Sequence, residues 1–345
     1  MRQSIIISLL GCCVMLFSQC TDHPGVELTV NETEKKVDVL VDGELFTSYI
    51  YPDNIMKPVL WPVMSEDGNM LTRSFPMEVK TGDRTDHPHH VGVWLNYGDV
   101  NGLDFWNNSE AIPEENRGGY GTIFHQSVEK AESGQNKAVL ETTAAWKAPD
   151  GEVLLNEQTR FEFLVMEDNR IIDRTTTLKA MVDTVKFTDN KEGMFAIRVA
   201  RELELPSDQP TKLVDSHGKV TEVKEMDNTL VKGNYRSAEG VEGMDVWGTR
   251  SRWMKLSSEI NGEDVALVII DHPSNVGYPT YWHARGYGLF AANTLGQKIF
   301  SNGEKELNFT LEKGEKVTFR YRLVVADGNI SDEEINELAD LYAEH

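Results

Sequence analysis

The chain has 345 residues, of which 40% are hydrophobic and 26% are charged, and its formal net charge is −22. This composition is typical of a globular protein that buries a sizeable core. The negative charge repels the phosphates of nucleic acids and anionic lipid surfaces, so we expect neither as a partner. The same negative charge favours a small-molecule substrate that is neutral or bound together with a cation.

The N-terminal segment has the features of an export signal. A short basic start, Met1-Arg2, precedes an apolar run from Ile5 to Phe17, and we predict a signal peptide of the lipoprotein type over residues 1–20. The stretch "LFSQC" resembles a lipoprotein processing site, at which Cys20 is lipidated after cleavage; simple secretion is the alternative. The predicted location is the periplasm, the outer membrane or the cell surface, with the lipid on Cys20 as the sole membrane contact.

The cysteines of the chain all fall within or directly after this segment, at Cys12, Cys13 and Cys20. The mature domain is therefore predicted to hold no disulfide, zinc–thiolate site or catalytic thiol. Beyond residue 20, no stretch approaches the roughly 18 apolar residues that span a bilayer.

Alternation of apolar and polar residues dominates residues 27–326. "KVDVLVDGELFTSYIY" predicts a hairpin that turns at Asp42-Gly43, and "WKAPDGEVLLNEQTRFEF" predicts another near Asp150-Gly151. Towards the end, "KVTFRYRLVV" places five apolar residues on one face of a strand: Val317, Phe319, Tyr321, Leu323 and Val325. Many short strands joined by Gly- and Asp-rich turns predict sandwiched antiparallel sheets.

The clear helical pattern is the C-terminal "SDEEINELADLYAEH". Ser331 and Glu334 have capping-box spacing, and Ile335, Leu338 and Leu341 form one stripe, so we predict a helix over residues 331–343. No linker or repeat marks a boundary. Residues 21–345 are therefore expected to form a single all-β domain with this helix packed on it. A sandwich usually needs about 100 residues, so the length predicts a large antiparallel β-sandwich of the supersandwich type.

"TDHPHHVGVWLNYGDVNGLDFW" (residues 85–106) is the richest candidate site. Pro88 favours a turn ahead of a strand from Val93 to Tyr97. The candidate catalytic residues are His89 and His90, and the candidate substrate-binding residues are Asp86, His87 and Trp94. A plain turn whose histidines bond backbone groups is one alternative. A divalent metal is another, with ligands drawn from His87, His89, Asp86, His125, Glu192 and His283.

The end of this segment, "GDVNGLDFW", combines polar side chains with an aromatic ring. Asn101, Asp104 and Trp106 are candidate sugar-binding residues, because sugar C–H faces stack on aromatic rings while hydroxyls need hydrogen-bonding partners. The alternative is a turn stabilised by the Asp and Asn side chains, with Trp106 in the core.

"KEGMFAIRVA" (residues 191–200) places Glu192 just before a strand that carries Arg198. Arg198 shares a face with Ala196 and Ala200, whose small side chains leave room for a long side chain to cross a cavity. Glu192 is a candidate general base that Arg198 orients or balances in charge, and Arg198 is a candidate substrate-binding residue. An ion pair at the sheet edge is the alternative.

"DHPSNVGYPTYWHARGYGLFAANTLG" (residues 271–296) is the most enzyme-like segment. His283 is the candidate general acid or base, because histidine exchanges protons near neutral pH. The candidate substrate-binding residues here are Trp282, Arg285 and Asn293, whereas His272 in the repeated "DHP" is expected to be structural. The chain lacks G-x-G-x-x-G, Walker and G-x-S-x-G sequences, so we predict no nucleotide cofactor and no acyl-enzyme chemistry.

In this order, the three segments resemble the bacterial family labelled PmoA-like. Its methane oxygenase label is not carried over, because a particulate methane oxygenase subunit is a bundle of membrane helices. Members resemble proteins encoded among bacterial sugar-degradation genes, which implies a role with carbohydrates. The segment "KPVLWPVMSEDGNMLTRSFP" (residues 57–76), followed by the histidine motif, also resembles galactose mutarotase-like supersandwiches.

The resulting prediction is an exported enzyme that acts on a sugar or sugar derivative by acid–base chemistry, as an epimerase, lyase or hydrolase without a redox cofactor. A non-catalytic glycan-binding lipoprotein is the alternative. The many titratable side chains favour the enzyme, because a binding module needs mainly aromatic rings and amides. His89 or His90, His283 and Glu192 are expected to converge in one pocket at strand ends.

Overall fold

Strands are the main secondary structure of the chain. The computed structural model describes residues 25–167 and 169–345; the predicted signal peptide and Cys20 lie outside them. The strands in the first part are β1 (Gly25–Asn31), β2 (Lys36–Val41), β3 (Glu44–Ile50), β4 (Val59–Val63), β5 (Val93–Tyr97), β6 (Thr122–Glu132), β7 (Gly134–Gln135), β8 (Lys137–Lys147) and β9 (Val153–Met166). Those in the second part are β10 (Asn169–Ala180), β11 (Thr184–Phe187), β12 (Gly193–Arg198), β13 (Thr211–Val214), β14 (Val220–Val223), β15 (Asn234–Ser237), β16 (Trp253–Ile260), β17 (Glu263–Asp271), β18 (Tyr281–Arg285), β19 (Leu289–Asn293), β20 (Phe309–Glu312) and β21 (Lys316–Asp327).

Most of these strands belong to two large sheets. Sheet I has the order β18-β19-β12-β5-β4-β3-β2-β1-β7, and sheet II has the order β15-β16-β17-β21-β10-β9-β8-β6. The strands β11 and β20 form a separate ribbon, as do β13 and β14. Strand pairs in both sheets are antiparallel. Sheet I therefore brings β5, β12, β18 and β19 side by side, although they come from distant parts of the chain.

The core fills the space between the sheets with alternate residues of each strand. On β21 these are the five predicted side chains, all buried: Val317, Phe319, Tyr321, Leu323 and Val325. Tyr321 stacks on Phe195 of sheet I at 5.0 Å. Each large apolar side chain buried in this way stabilises the fold by about 1.5–3 kcal/mol. The predicted all-β class, a large antiparallel sandwich with a short C-terminal helix, is confirmed.

Both predicted hairpins are confirmed. Asp42 and Gly43 connect β2 to β3 with φ values of +52° and +83°, and Gly151, at +94°, lies between β8 and β9. The two-residue turn at Asp42-Gly43 needs positive φ at both positions, which glycine adopts without a Cβ clash.

The C-terminal helix α1 (Asp332–Ala343) begins at the N-cap Ser331, whose side chain forms the predicted capping box with Glu334. Its buried residues are Ile335, Leu338, Ala339 and Tyr342, which pack on the outer face of sheet II. Leu341 was expected in this stripe but is 47% exposed, because the spacing i, i+3, i+4, i+7 from Ile335 ends on Tyr342. The other helical turns are short 3₁₀ helices at Glu114–Gly119, Arg201–Leu203 and Gly243–Val246. No helix in the described part of the chain is long and apolar enough to cross a membrane.

Candidate active site

The outer face of sheet I carries a row of four residues that frames the candidate site. Cross-strand pairs join His283 on β18 to Ala291 on β19, Ala291 to Ala196 on β12, and Ala196 to Trp94 on β5. Directly paired residues point to the same face of a sheet. His283 and Trp94 thus lie at the two ends of the row, separated by three strand spacings, or about 14 Å.

A buried arginine holds the loop of residues 84–90 beside this face. Arg73 is 2% exposed and donates hydrogen bonds to the carbonyl oxygens of Asp86 (2.7 Å), His87 (2.9 Å) and His90 (3.0 Å). Hydrogen bonds from a charged donor are roughly twice as strong as neutral ones. One side chain therefore fixes the backbone that carries the three histidines.

Asp86 lies between two arginines. Its Oδ1 accepts hydrogen bonds from Arg73 (2.9 Å) and Arg198 (2.7 Å), and its Oδ2 lies 2.8 Å from Nδ1 of His87. Burial by itself raises the pKa of Asp86, but the hydrogen bond with His87 and the charges of Arg198 and Arg73 outweigh it and hold that pKa well below its ordinary value. Asp86 is an ionised carboxylate that organises the site.

The histidines of this loop form one aromatic cluster. The His87 ring lies between the rings of His90 (4.9 Å) and Tyr287 (5.0 Å), and His90 also stacks on Trp94 at 5.3 Å. His89 packs edge-on against His90 at 4.4 Å. Tyr287 belongs to the turn between β18 and β19, so its ring connects the loop of residues 84–90 to the hairpin that carries His283.

Several ring N–H groups of this cluster have no acceptor. Nδ1 of His90 lies 3.3 Å from Nη1 of Arg198, and because arginine only donates, the proton of His90 is on Nε2. That Nε2 and the indole Nε1 atoms of Trp94 and Trp106 are buried without a partner among the described residues. The Trp106 ring lies 5.8 Å from His90 and 5.2 Å from Trp94. Because an unpaired buried donor costs about 1–3 kcal/mol, these groups favour water or an oxygen-rich ligand as their acceptor.

Burial keeps the two predicted catalytic histidines of the loop neutral. It lowers the pKa of His89 to about 2, with the charge of Lys57 acting in the same direction. It also lowers the pKa of His90 well below its ordinary value. Near neutral pH these rings are therefore neutral hydrogen-bonding groups that lack the second proton an imidazolium acid would release.

His283 forms the other end of the row and is 3% exposed. Its Nδ1 donates a hydrogen bond to the carbonyl oxygen of Lys191 at 3.0 Å and lies 3.7 Å from Oε2 of Glu192, which is ion-paired with Lys191. Because a carbonyl only accepts, the proton is on Nδ1. No described residue hydrogen-bonds Nε2. Burial, followed by the charges of Lys191 and Arg285, lowers the pKa of His283 to about 3.

The predicted catalytic residues thus lie at two ends of one face. His283 and Glu192 are adjacent at one end, and His89 and His90 lie beside Trp94 at the other. The expectation that they act together in one pocket stays a prediction.

Asn293, a predicted substrate-binding residue, bonds backbone groups on both sides of its amide. Its Nδ2 donates a hydrogen bond to the carbonyl oxygen of Asn190 (2.9 Å), and its Oδ1 accepts one from the backbone N–H of Gly296 (2.7 Å). Both side-chain groups are therefore occupied in holding the loop that contains Lys191.

Trp282 lies on the opposite face of sheet I from His283. It is fully buried in the core between the sheets, and its Nε1 lies 3.1 Å from Oγ of Ser251. Successive residues of a strand point to opposite faces, so Trp282 does not lie on the face of sheet I that carries His283. The structure gives Trp282 a core role in place of the predicted contact with substrate.

Asp104 and Asn101 hold turns together. Asp104 accepts hydrogen bonds from the backbone N–H groups of Trp106 and Asn107, both at 2.9 Å. Asn101 is exposed and bonds the backbone of the β11 strand, donating to the carbonyl of Thr184 and accepting from the N–H of Lys186. For these two residues the structure agrees with the alternative of a turn.

The described residues do not provide a set of ligands arranged around a metal ion. Across residues 25–167 and 169–345, no group of three or more His, Asp or Glu side chains is positioned to hold a metal ion. His125, named as a distant ligand, stacks on Tyr51 at 3.8 Å and lies 3.0 Å from the hydroxyl of Tyr49.

Lys57 is a site residue that the sequence patterns missed. It is 3% exposed, its Nζ donates a hydrogen bond to the carbonyl oxygen of His89 at 2.7 Å, and it lies 5.3 Å from the ring of Trp94. No described carboxylate forms an ion pair with it, and burial lowers its pKa to about 7. A lone lysine before proline has no periodic signal, because its contact with His89 arises only in the fold.

The chain belongs to the family described as "Family of unknown function (DUF6807)", which matches residues 36–340. A search of curated proteins finds no match. Among solved structures, the chain is similar to a GH36 α-galactosidase from Geobacillus stearothermophilus, with a TM-score of 0.41, 10% identity and coverage of 88% of this chain and 41% of that one. The chain thus spans about two fifths of the length of that enzyme.

Two smaller solved proteins match nearly end to end. A putative aldose 1-epimerase from Escherichia coli K12 has a TM-score of 0.34 and 8% identity, covering 88% of this chain and 99% of that one. A galactose mutarotase related enzyme from Lactobacillus acidophilus has a TM-score of 0.27 and 8% identity, covering 88% and 100%. At these values the likenesses carry no argument about activity, so the function is argued from the side chains.

Proposed function

We propose that the protein is an enzyme that processes a sugar or sugar derivative by proton transfer, with His283 as the general base. The observation that carries this proposal is the fixed tautomer of His283. Its Nδ1–H is held by the carbonyl of Lys191 at 3.0 Å, which leaves the lone pair of Nε2 available. A general base needs such a lone pair at the working pH. Epimerisation, elimination and hydrolysis all include a proton transfer of this kind and need no redox cofactor.

In the proposed step, Nε2 of His283 takes a proton from a C–H or O–H group of the substrate, or from water in a hydrolysis. The electron pair of the broken bond stays on the atom that loses the proton. The imidazolium that forms is stabilised by Glu192, whose Oε2 lies 3.7 Å from Nδ1. Glu192 thus balances the charge of the base.

The opposite end of the row supports sugar recognition. His90, Trp94 and Trp106 hold buried N–H donors that have no acceptor among the described residues, and an oxygen of water or of a sugar that reaches them is a suitable acceptor. The faces of the His87 ring are covered by His90 and Tyr287, but its side chain is 39% exposed, so a ligand can contact this cluster at His87.

Replacing His283 by glutamine tests the proposal. In a screen of glycosides and keto-sugars, we expect the wild type to turn over at least one compound and His283→Gln to lose about 10²–10⁴-fold in kcat/KM while still binding it. The control is His272→Gln, because His272 is also buried but bonds Ser274 outside the row. Equal activity of His283→Gln and the wild type contradicts the role of His283.

Chelation separates acid–base chemistry from the metal alternative. We expect EDTA to leave turnover unchanged. Loss of activity with EDTA and its recovery on adding a divalent ion would instead assign the reaction to a bound metal.

A non-catalytic glycan-binding protein is the second candidate. It is favoured by the same unpaired N–H donors of Trp94 and Trp106, which suit binding as well as catalysis. Retained glycan binding with no turnover, in both the wild type and His283→Gln, supports this candidate over the enzyme.

We also propose that the protein is exported and anchored by a lipid on Cys20, in the periplasm or on the outer membrane or cell surface. The support is the apolar run from Ile5 to Phe17 followed by "LFSQC". The resemblance to the PmoA-like family belongs to this proposal too, as a sign of a carbohydrate role without methane oxidation.

A further inference from the structure

We infer that the substrate is a sugar that carries a carboxylate, and that Arg285 binds this carboxylate next to His283. The inference rests on the proposed function and names the substrate class of the same site.

Arg285 differs from the other arginines of the site in its pairing. The others each pair with a carboxylate: Arg73 with Asp86 at 2.9 Å, Arg198 with Asp86 at 2.7 Å, and Arg84 with Glu204 at 2.6 Å. No carboxylate in residues 25–167 or 169–345 forms an ion pair with Arg285. Its charge is therefore available to a ligand.

The position of Arg285 suits a substrate carboxylate. It follows His283 by two residues on β18, so the two side chains project from the same face of sheet I. It is partly exposed, and its guanidinium lies 5.8 Å from the ring of Trp247. Stacking on an aromatic ring leaves the N–H fork of a guanidinium free to form paired hydrogen bonds with a planar carboxylate.

A carboxylate at this point is useful to the proposed reaction. When the carboxylate is bonded to the carbon that loses the proton, the electron pair left by the C–H bond spreads onto the carboxylate oxygens, and a cation beside them stabilises the developing charge. The proton moves to Nε2 of His283. A proton from water can then add to the opposite face of that carbon, and the hydroxide left behind takes the proton from His283. Alternatively, the neighbouring C–O bond breaks and the leaving oxygen takes the proton from His283.

Carboxylate binding also strengthens the base. After burial, the charges of Lys191 and Arg285 lower the pKa of His283 to about 3, which makes His283 a weak base in the free protein. A bound carboxylate offsets the positive charge of Arg285. The base thus gains strength when the substrate is in place.

The net charge of −22 favours a neutral substrate at the level of the whole chain, but the site has a different local charge. Arg285 lacks a carboxylate partner among the described residues. Because solvent ions screen exposed charges beyond about 8 Å at physiological salt, this nearby cation outweighs the distant acidic groups where a ligand contacts the site.

Calorimetric titration of the full chain tests the inference. The probes are glucuronate, galacturonate and mannuronate, each matched with its neutral hexose. We expect at least one uronate to bind tenfold or more tightly than its hexose. In Arg285→Gln this preference should disappear while the affinity for the hexose stays within twofold. The control variant is Arg320→Gln, because Arg320 bonds Ser274 away from the row, and it should keep the preference.

Each outcome bears on a separate claim. Equal affinity for every uronate and its hexose overturns the inference and leaves the proposed function standing, whereas no binding and no turnover of either class counts against both. A preference that survives in a folded Arg285→Gln protein overturns the role of Arg285. Glucose 6-sulfate that binds as tightly as the best uronate overturns the assignment of a carboxylate.

Discussion

At the residue scale, burial decides the protonation of the site histidines. In His89, His90 and His283, loss of solvent is the largest cause of the lowered pKa, and neighbouring cations add to it. The sequence shows three histidines in four positions, which suggests proton exchange near neutral pH. It does not show how deeply each ring is buried, and burial moves these groups out of that range.

The lowered pKa of His283 predicts a pH dependence of stability. In the unfolded chain this histidine takes a proton near pH 6.5, whereas in the folded protein it does so only near pH 3. The unfolded state therefore binds more protons between these values, so this contribution to stability is complete above pH 6.5 and is lost as the pH falls.

Urea denaturation measures this contribution. In His283→Gln, the slope of the unfolding free energy against pH between about pH 6 and pH 4 should be shallower than in the wild type by about 1.4 kcal/mol per pH unit. His272→Gln serves for comparison, because burial also lowers the pKa of His272 at another site. Parallel slopes in His283→Gln and the wild type contradict a buried neutral His283.

The same scale shows which residue contacts were predictable. Alternation correctly places Arg198 and Ala196 on one face of β12, and applied to β18 it also separates Trp282 from His283. Arg73 and Lys57 had no such signal, because their partners are backbone carbonyls of a loop that only the sheet order brings near.

At the scale of elements, the strands were more predictable than their order. Turn residues and alternation locate β2, β3, β8, β9 and β21, because each pattern is local. The neighbours β18, β19, β12 and β5 meet through contacts between distant segments, and no local pattern specifies which strand edges pair. The site depends on this order, so the sequence alone does not determine which of the candidate residues lie together.

Helix α1 gives a prediction at this scale. Ser331 caps the helix, and Ile335 and Tyr342 bury against sheet II. We expect Ser331→Ala to lower the free energy of unfolding by about 1 kcal/mol, because an N-cap hydrogen bond is lost. Ser331→Asp, which keeps an acceptor, should be close to the wild type in the same urea titration. Equal stability of all three proteins contradicts a role of the cap in stability.

At the scale of the whole molecule, the predicted lipid anchor can be tested in cells. Because Cys20 is the proposed attachment point, Cys20→Ala should move the protein from the membrane fraction to the soluble fraction. Cys13→Ala, inside the predicted signal, should stay with the membranes. If Cys20→Ala remains in the membrane fraction, the anchor assignment is wrong.

The row from His283 to Trp94 has a practical consequence, because it exists only when sheet I joins three distant segments of the chain: β5, β12 and the hairpin of β18 and β19. A ligand of this row binds the folded chain and not the unfolded one. At a ligand concentration of 100 times its Kd, it adds about 2.7 kcal/mol to the free energy of unfolding, and the melting temperature rises. A thermal-shift screen of sugars sorted by charge can therefore find the ligand before the reaction is known. His283→Gln is the suitable protein for such a screen, since it should hold the substrate without consuming it.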